Sequence, residues 1–331
     1  VAWDVSSVWL RMNQRFSGQR WAIDLSAHGT MNSNKQDQTI AINRWWNSES
    51  KADAQLILGT SSSLFFGLKG TFSDQQGSGW SSAMGLKHVG DFLNLTIGVG
   101  HGEQMPTIQQ VFWSNSAFTH GEDLRLVQSK YAWTELLLWK NAFVSIDSWG
   151  RLSMESGTPL LSPTGALEYA DNHLLWAAGL GLDTQLERWE FALSGNANQR
   201  GNGEIQSLQS TSYESDIQLR LRGHAFWKSY VFERAAYTKM GLRFYTAPLN
   251  YRSPGFNTGA QWWPIHVTNT TEMPAFTRID LEISSRVRAM MVFVRWENLS
   301  HGLLQPGYFG SYGYPMPGRR LVLSIKAIFR N

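Results

Sequence analysis

Period two runs through almost the whole chain, and it restricts the fold more than any other feature. In "WAIDLSAHG" Trp21, Ile23, Leu25 and Ala27 alternate with Asp24, Ser26 and His28. In "FLNLTIGVG" Leu93, Leu95, Ile97 and Val99 alternate with Asn94, Thr96, Gly98 and Gly100. "SDIQLRLRGHAF" sets Ile217, Leu219 and Leu221 against Gln218, Arg220, Arg222 and His224. The final stretch, "GYPMPGRRLVLSIKAIFRN", sets Leu321, Leu323, Ile325, Ala327 and Phe329 against Arg320, Ser324 and Lys326. Successive side chains of a strand point to opposite faces, so such stretches read as strands with one apolar face.

The apolar face needs a partner, and the other face decides which. That second face carries full charges and glycines, which the core of a soluble sandwich would reject. A polar lumen accepts them, with lipid covering the apolar face. The strands reach about ten residues, the length that a tilted membrane-spanning strand requires. Composition agrees: only 17% of residues are charged, 13% are aromatic and 16 are Trp. No stretch reaches the roughly 20 apolar residues of a spanning helix. The competing reading of the last strand is the edge of a soluble β domain.

Connections supply a second test. Strands are expected near 318–330, 289–299, 275–286, 234–247, 211–227, 189–199, 171–185, 142–153 and 128–139. The N-terminal third adds 3–14, 18–31, 36–46, 52–60, 64–74, 79–89 and 92–101. Short links such as 186–188 and 287–288 alternate with long ones such as 154–170 and 248–274, the layout of an outer-membrane barrel. The fold class expected is therefore all-β, a transmembrane antiparallel β-barrel of about 16 strands with both ends on the short-turn, periplasmic side. Residues 1–331 read as a single barrel domain with no plug domain visible. The chain begins at Val1 without a leader-like apolar segment and reads as a mature or trimmed chain.

The absence of Cys excludes disulfides and thiolate metal sites and suits an exported bacterial protein. A formal charge of +3 is too small to point to nucleic acid. No H-E-x-x-H, G-x-S-x-G or P-loop pattern is present, and the eight His are scattered. The expectation is a protein that is not an enzyme and has no cofactor or resident metal.

Candidate site residues fall in two groups. The lumen-facing set is Arg220, Arg222, His224, Lys239, Arg243, Asp280, Glu282, Arg295 and Glu297. These residues could form a field that selects anionic or polar solutes. Because both signs are present, the favoured reading is a ladder of cross-strand ion pairs that holds the wall together. The outer-loop set is Tyr251, Phe256, Trp262, Trp263 and Tyr308. Aromatics in a long outer loop suit ligand capture, or the interfacial girdle that anchors barrels. Trp45, Trp46, Trp80, Trp113, Trp149, Trp227 and Trp296 read as girdle.

Two segments carry a family resemblance. "GVGHGEQMPTIQQVFWSNSAF" followed by "HGEDLRLVQSKYAWTELLLWKNAFVSIDSW" resembles the late barrel of TonB-dependent receptors. Met105, Pro106, Thr107 and Gln110 carry the first part of that match, and Gly121, Leu124 and Glu135 the second. The ending, with Glu297, Asn298, Leu299, Tyr308, Tyr314, Pro315, Pro317, Gly318 and Arg319, is similar to the closing pattern of the same family. That pattern also occurs in porins of Bacteroidetes-type bacteria. The resemblance spans roughly residues 90–331 and implies the C-terminal part of a 22-strand barrel, or a plugless relative. It implies residence in the bacterial outer membrane, amid lipid and lipopolysaccharide. It further implies nutrient import with a TonB-type energising protein or a surface lipoprotein as partner. A passive porin-like channel and a structural scaffold barrel of an envelope complex are the alternatives.

Overall fold

The computed structural model describes residues 5–34, 44–73, 77–104, 126–161, 167–170, 172–200, 217–253, 271–303, 309–311, 314–316 and 318–327. Among these, fifteen strands join in one antiparallel sheet, each paired with its neighbours in chain order. They are β1 (Val5–Ser17), β2 (Trp21–Asn34), β3 (Arg44–Ile57), β4 (Ser62–Ser73), β5 (Gly77–Val89), β6 (Asn94–Gln104), β7 (Val127–Lys140) and β8 (Val144–Ser156). After the short pair β9 (Thr158–Leu161) and β10 (Leu167–Ala170) come β11 (His173–Gln185), β12 (Trp189–Arg200), β13 (Gln218–Val231) and β14 (Ala236–Ala247). The pair β15 (Tyr251–Ser253) and β16 (Thr271–Met273) precedes β17 (Phe276–Val287) and β18 (Met290–Glu297). The pair β19 (Phe309–Ser311) and β20 (Tyr314–Pro315) precedes the last strand, β21 (Arg320–Ala327). The three small pairs stand apart from the main sheet, inside long connections, and the alternation did not reveal them.

The described part of the expected segment 36–46 and the segment 52–60 both fall on one strand, β3, so among the described residues the sheet has fifteen strands where sixteen segments were expected. The polar run 47–51 has the composition of a turn but lies inside the strand. Its Glu49 pairs in register with His28 and Thr71, and Lys51 with Ser26 and Lys69. One consequence is that β1 starts at the rim of the long connections, whereas β21 ends at the rim of the short turns. The expected placement of both ends on the short-turn side is corrected accordingly. Among the described residues, β1 and β21 each pair with one neighbour and not with each other.

Short turns of two to four residues line one rim, for example 186–188 and 288–289. The strand ends that flank the longest connections, including 105–126 and 248–275, lie at the other. The β17–β18 turn is closed by Arg288 in a left-handed conformation, φ 51°.

The sheet has two chemically distinct faces. One row across it runs Ile23, Ala54, Phe66, Met84, Val99, Ala132 and Leu152 in continuous register. Large apolar side chains on this face are open rather than buried: Val99 is 54% exposed, Leu180 58% and Leu323 63%. In a soluble protein such a surface would far exceed the few hundred Å² that monomers leave apolar. Among the described residues no helix is long and apolar enough to cross a membrane.

The second face is polar but also holds rings. Phe65 lies opposite Gly85, Trp133 opposite Gly98, Tyr131 opposite Gly100, Trp149 opposite Gly179 and Phe226 opposite Gly241. A Cβ on Gly98 or Gly179 would collide with the facing indole, so the rings lie flat over bare backbone. This corrects the girdle reading of Trp149, which projects from the polar face. Trp46, Trp80, Trp227 and Trp296 share the apolar face with Met31, Met240 and Leu281. Trp113 and the Trp45 side chain lie outside the described residues.

Candidate functional site

The alternation that exposes leucines on one face brings the ionisable residues of β12–β21 onto the other. Register then decides which of them meet. Arg243 stands between His224 on β13 and Asp280 on β17, and Glu282 stands opposite Arg295 on β18. The charges sort into three clusters, each built round a carboxylate.

The first centre is Glu190, which period two placed on the polar face but which was not singled out as a site residue. Lys239 donates to its carboxylate at 2.7 Å, His224 Nε2 lies 3.1 Å away and Lys228 3.8 Å away. Phe226 is fully buried beside them, with Lys239 Nζ 4.4 Å and the Arg243 guanidinium 5.0 Å from its ring centroid. Two cations thus lie within cation–π distance of one ring, a favourable arrangement for a quadrupole shielded from water.

The second centre is Glu282, 6% exposed. Arg243 donates to both of its oxygens, at 2.8 and 3.3 Å, in a fork geometry that only Arg can supply. Arg295 donates to the same carboxylate at 2.9 Å.

The third centre is Glu297, where the last three strands meet. Arg320 bonds it from β21, Arg278 lies 3.6 Å away and Arg295 3.9 Å away. Arg278 forks Asp280 with two bonds of 2.8 Å. Asp280 in turn accepts the backbone N–H of Asn298 at 2.8 Å. Asn298 is buried with φ 54°, a conformation that Asn tolerates better than most residues. Ser300 donates to the Thr277 carbonyl at 2.6 Å and completes the corner. Arg278, Asn298 and Ser300 had no site role in the sequence, because their contacts depend on the register of β17 against β18.

All nine charged residues expected on the lumen-facing side therefore share one face of the sheet. Six of them, Lys239, Arg243, Asp280, Glu282, Arg295 and Glu297, engage oppositely charged partners, and His224 contacts the Glu190 carboxylate. Arg220 donates to the Tyr245 hydroxyl at 2.7 Å, and Arg222 to the Ser194 hydroxyl at 2.9 Å. Of the outer-loop candidates, Tyr251 pairs with Met273 in backbone register. Phe256, Trp262, Trp263 and Tyr308 lie outside the described residues, as do Met105, Pro106, Thr107, Gln110, Gly121, Leu124 and Pro317 of the resemblance. Glu135, also of the resemblance, projects from the polar face opposite Thr96 and Trp149. Among the described residues no cluster of His, Asp and Glu is arranged to hold a metal ion.

Comparison with solved structures decides what kind of sheet this is. The FrpB iron transporter from Neisseria meningitidis superposes with a TM-score of 0.72 at 8% identity, over 97% of this chain and 54% of its own. The copper transporter OprC gives a TM-score of 0.72 at 13% identity, over 97% of this chain and 56% of its own. The fold is that of an outer-membrane β-barrel. The siderophore receptor PirA from Acinetobacter baumannii adds a TM-score of 0.68 at 11% identity, over 98% of this chain and 55% of its own. The resemblance to the barrel of TonB-dependent receptors is borne out at the level of fold, and the chain spans about half the length of these structures. A family model described as "Putative porin" matches residues 218–329, the part that carries the Glu282 and Glu297 clusters and the cations that surround Glu190. No curated protein matches the chain in sequence.

Proposed function

We propose that the chain is wall of a bacterial outer-membrane importer of the TonB-dependent-receptor type. Its apolar face is covered by outer-membrane lipid and lipopolysaccharide, and its polar face borders the lumen through which a nutrient passes. The observation that carries this reading is the segregation of exposed Leu, Val and Met on one face from buried ion clusters on the other, in a barrel fold shared with iron and copper transporters. Ion pairs that are mostly satisfied within the wall leave the lumen surface stable without a packed apolar core. The long connections, with Tyr251, Phe256, Trp262, Trp263 and Tyr308, would capture the ligand at the surface. A TonB-type energising protein or a surface lipoprotein would be the partner in release and capture. No role in the proposal calls for catalysis.

The test has two parts. In the native host, deleting the gene should abolish protonophore-sensitive uptake of at least one compound from a panel of ferric siderophores, copper complexes, amino acids and oligosaccharides. The protein purified from native membranes should show no steady ohmic conductance in planar bilayers. Steady conductance with protonophore-insensitive uptake would overturn energised import in favour of a passive channel, the reading that the porin-family match over 218–329 favours. No conductance and unchanged uptake would leave the scaffold barrel.

A further inference from the structure

Between Asp147 on β8 and Arg222 on β13 the polar face holds a gap, bordered on its far side by His224, Arg243, Arg278 and Asp280 of the ion clusters. In one cross-strand row the register runs Asp147, Gly181, Ser194, Arg222 across β8, β11, β12 and β13. The next row runs Ser145, Asp183, Ala192, His224. The middle of both rows is floored by small side chains, Gly181, Ala192 and Ser194. The Asp147 carboxylate leans over Gly181, with its carbon 2.9 Å from where a Cβ would stand there. From the other side Arg222 leans toward Ser194, to which its Nε donates at 2.9 Å. Gly181 and Ser194 face each other directly, so the two charged heads hang over adjacent strands, about 5 Å apart in backbone spacing. They do not close on each other: among the described residues neither Asp147 nor Asp183 has an ion-pair partner. These side chains border a cavity of about 540 Å³.

Opposite charges on adjacent strands of this face pair elsewhere, as Arg243 and Glu282 do. Here Asp147 and Asp183 remain on one side and Arg222 on the other, with the small side chains of Ala192 and Ser194 between them. We infer that this gap is a binding site for a small zwitterion carrying one carboxylate and one ammonium group, a free amino acid or a short peptide. Arg222 takes the ligand carboxylate in its guanidinium fork, and Asp147 with Asp183 takes the ammonium. Gly181 and Ala192 supply the clearance. The inference rests on the reading of the polar face as lumen, and it names the class of solute that this lumen would hold.

Binding in detergent tests it without any transport step, so import can fail while the site stands, and the reverse. The natively purified protein is titrated calorimetrically with L-alanine and with L-alanyl-L-alanine, the two sources of the chemistry. Lactate, which lacks the ammonium, and L-alaninamide, which lacks the carboxylate, serve as controls. At least one zwitterion should bind ten-fold or more tightly than both controls. Asp147→Asn and Arg222→Gln should each weaken that zwitterion about ten-fold, and the charge-swapped pair D147R/R222D should restore part of the loss. Both positions are solvent-facing, and heat-modifiable electrophoretic mobility checks that each variant is folded. Equal binding of zwitterions and controls would overturn the assignment. So would zwitterion binding that neither single variant changes.

Discussion

Arg320 stands directly opposite Glu297 in the register of the last two strands, and its guanidinium bonds the Glu297 carboxylate. Through Glu297 the last strand is tied to Arg278 and Arg295, and through Arg278 to Asp280 and the buried corner at Asn298. The corner that the sequence shows as "RWENLS" is therefore an electrostatic clamp on the closing strand. Glu297→Gln removes the charge but leaves three arginines facing one another. It should lower stability by about 2 kcal/mol, below the range for breaking a fully buried pair because Arg320 is largely exposed. The shift of the urea unfolding midpoint measures it, and Arg320→Gln should cost less.

The Arg243–Glu282 fork allows a sharper test of pair energy. A double-mutant cycle with Arg243→Met and Glu282→Gln should give a coupling of about 1–3 kcal/mol, above the range of exposed surface pairs. A coupling near zero would mean that water replaces the fork at no cost.

Close approach of rings and backbone makes a different prediction. At Gly241 a Cβ would strike the Ala225 carbonyl and the Phe226 backbone, neither of which can rotate away. Gly241→Ala should therefore cost about 2 kcal/mol or more, in the range of overpacking. Gly70 lies in β4 with nothing within 4 Å of the same position. Gly70→Ala should be neutral or stabilising by about 0.5 kcal/mol, because it reduces the freedom of the unfolded chain. Both are read from unfolding midpoints in the same detergent.

Lipid contact separates adjacent residues of one strand. Leu193→Arg puts a charge on the apolar face and should cost about 2–4 kcal/mol, the penalty for Arg near the middle of a bilayer. Ser194→Arg, one residue on, should cost under about 1 kcal/mol in the same reconstituted vesicles, because its side chain meets the polar face.

Much of this architecture was legible from alternation alone. The faces of β2, β6, β13 and β21 follow the sequence pattern residue by residue, since a single burial preference per face is enough to write it. Two features were not. The run Asn47–Lys51 reads as a turn because the side chains of both faces are polar there, so period two carries no contrast. Trp149 reads as a girdle residue because an indole usually faces an interface, yet here Gly179 gives it room on the polar side. The ion clusters were half visible. The sequence assigns Arg243 and Glu282 to a face, but only the register of β14 against β17 and β18 brings them together. Glu190 was overlooked because its cations come from β13 and β14, about 34–49 residues away in sequence.

The central claim is that one face of this sheet meets lipid and the other water. Because the chain has no cysteine, each single-Cys variant carries a unique thiol. Spin labels at each position from 189 to 199 in β12, in reconstituted vesicles, report oxygen and nickel-chelate accessibility separately. The account predicts a period of two, with oxygen access peaking at 191, 193 and 195 and nickel access peaking at 192, 194 and 196. Equal nickel access at both sets of positions, with no alternation, would contradict it.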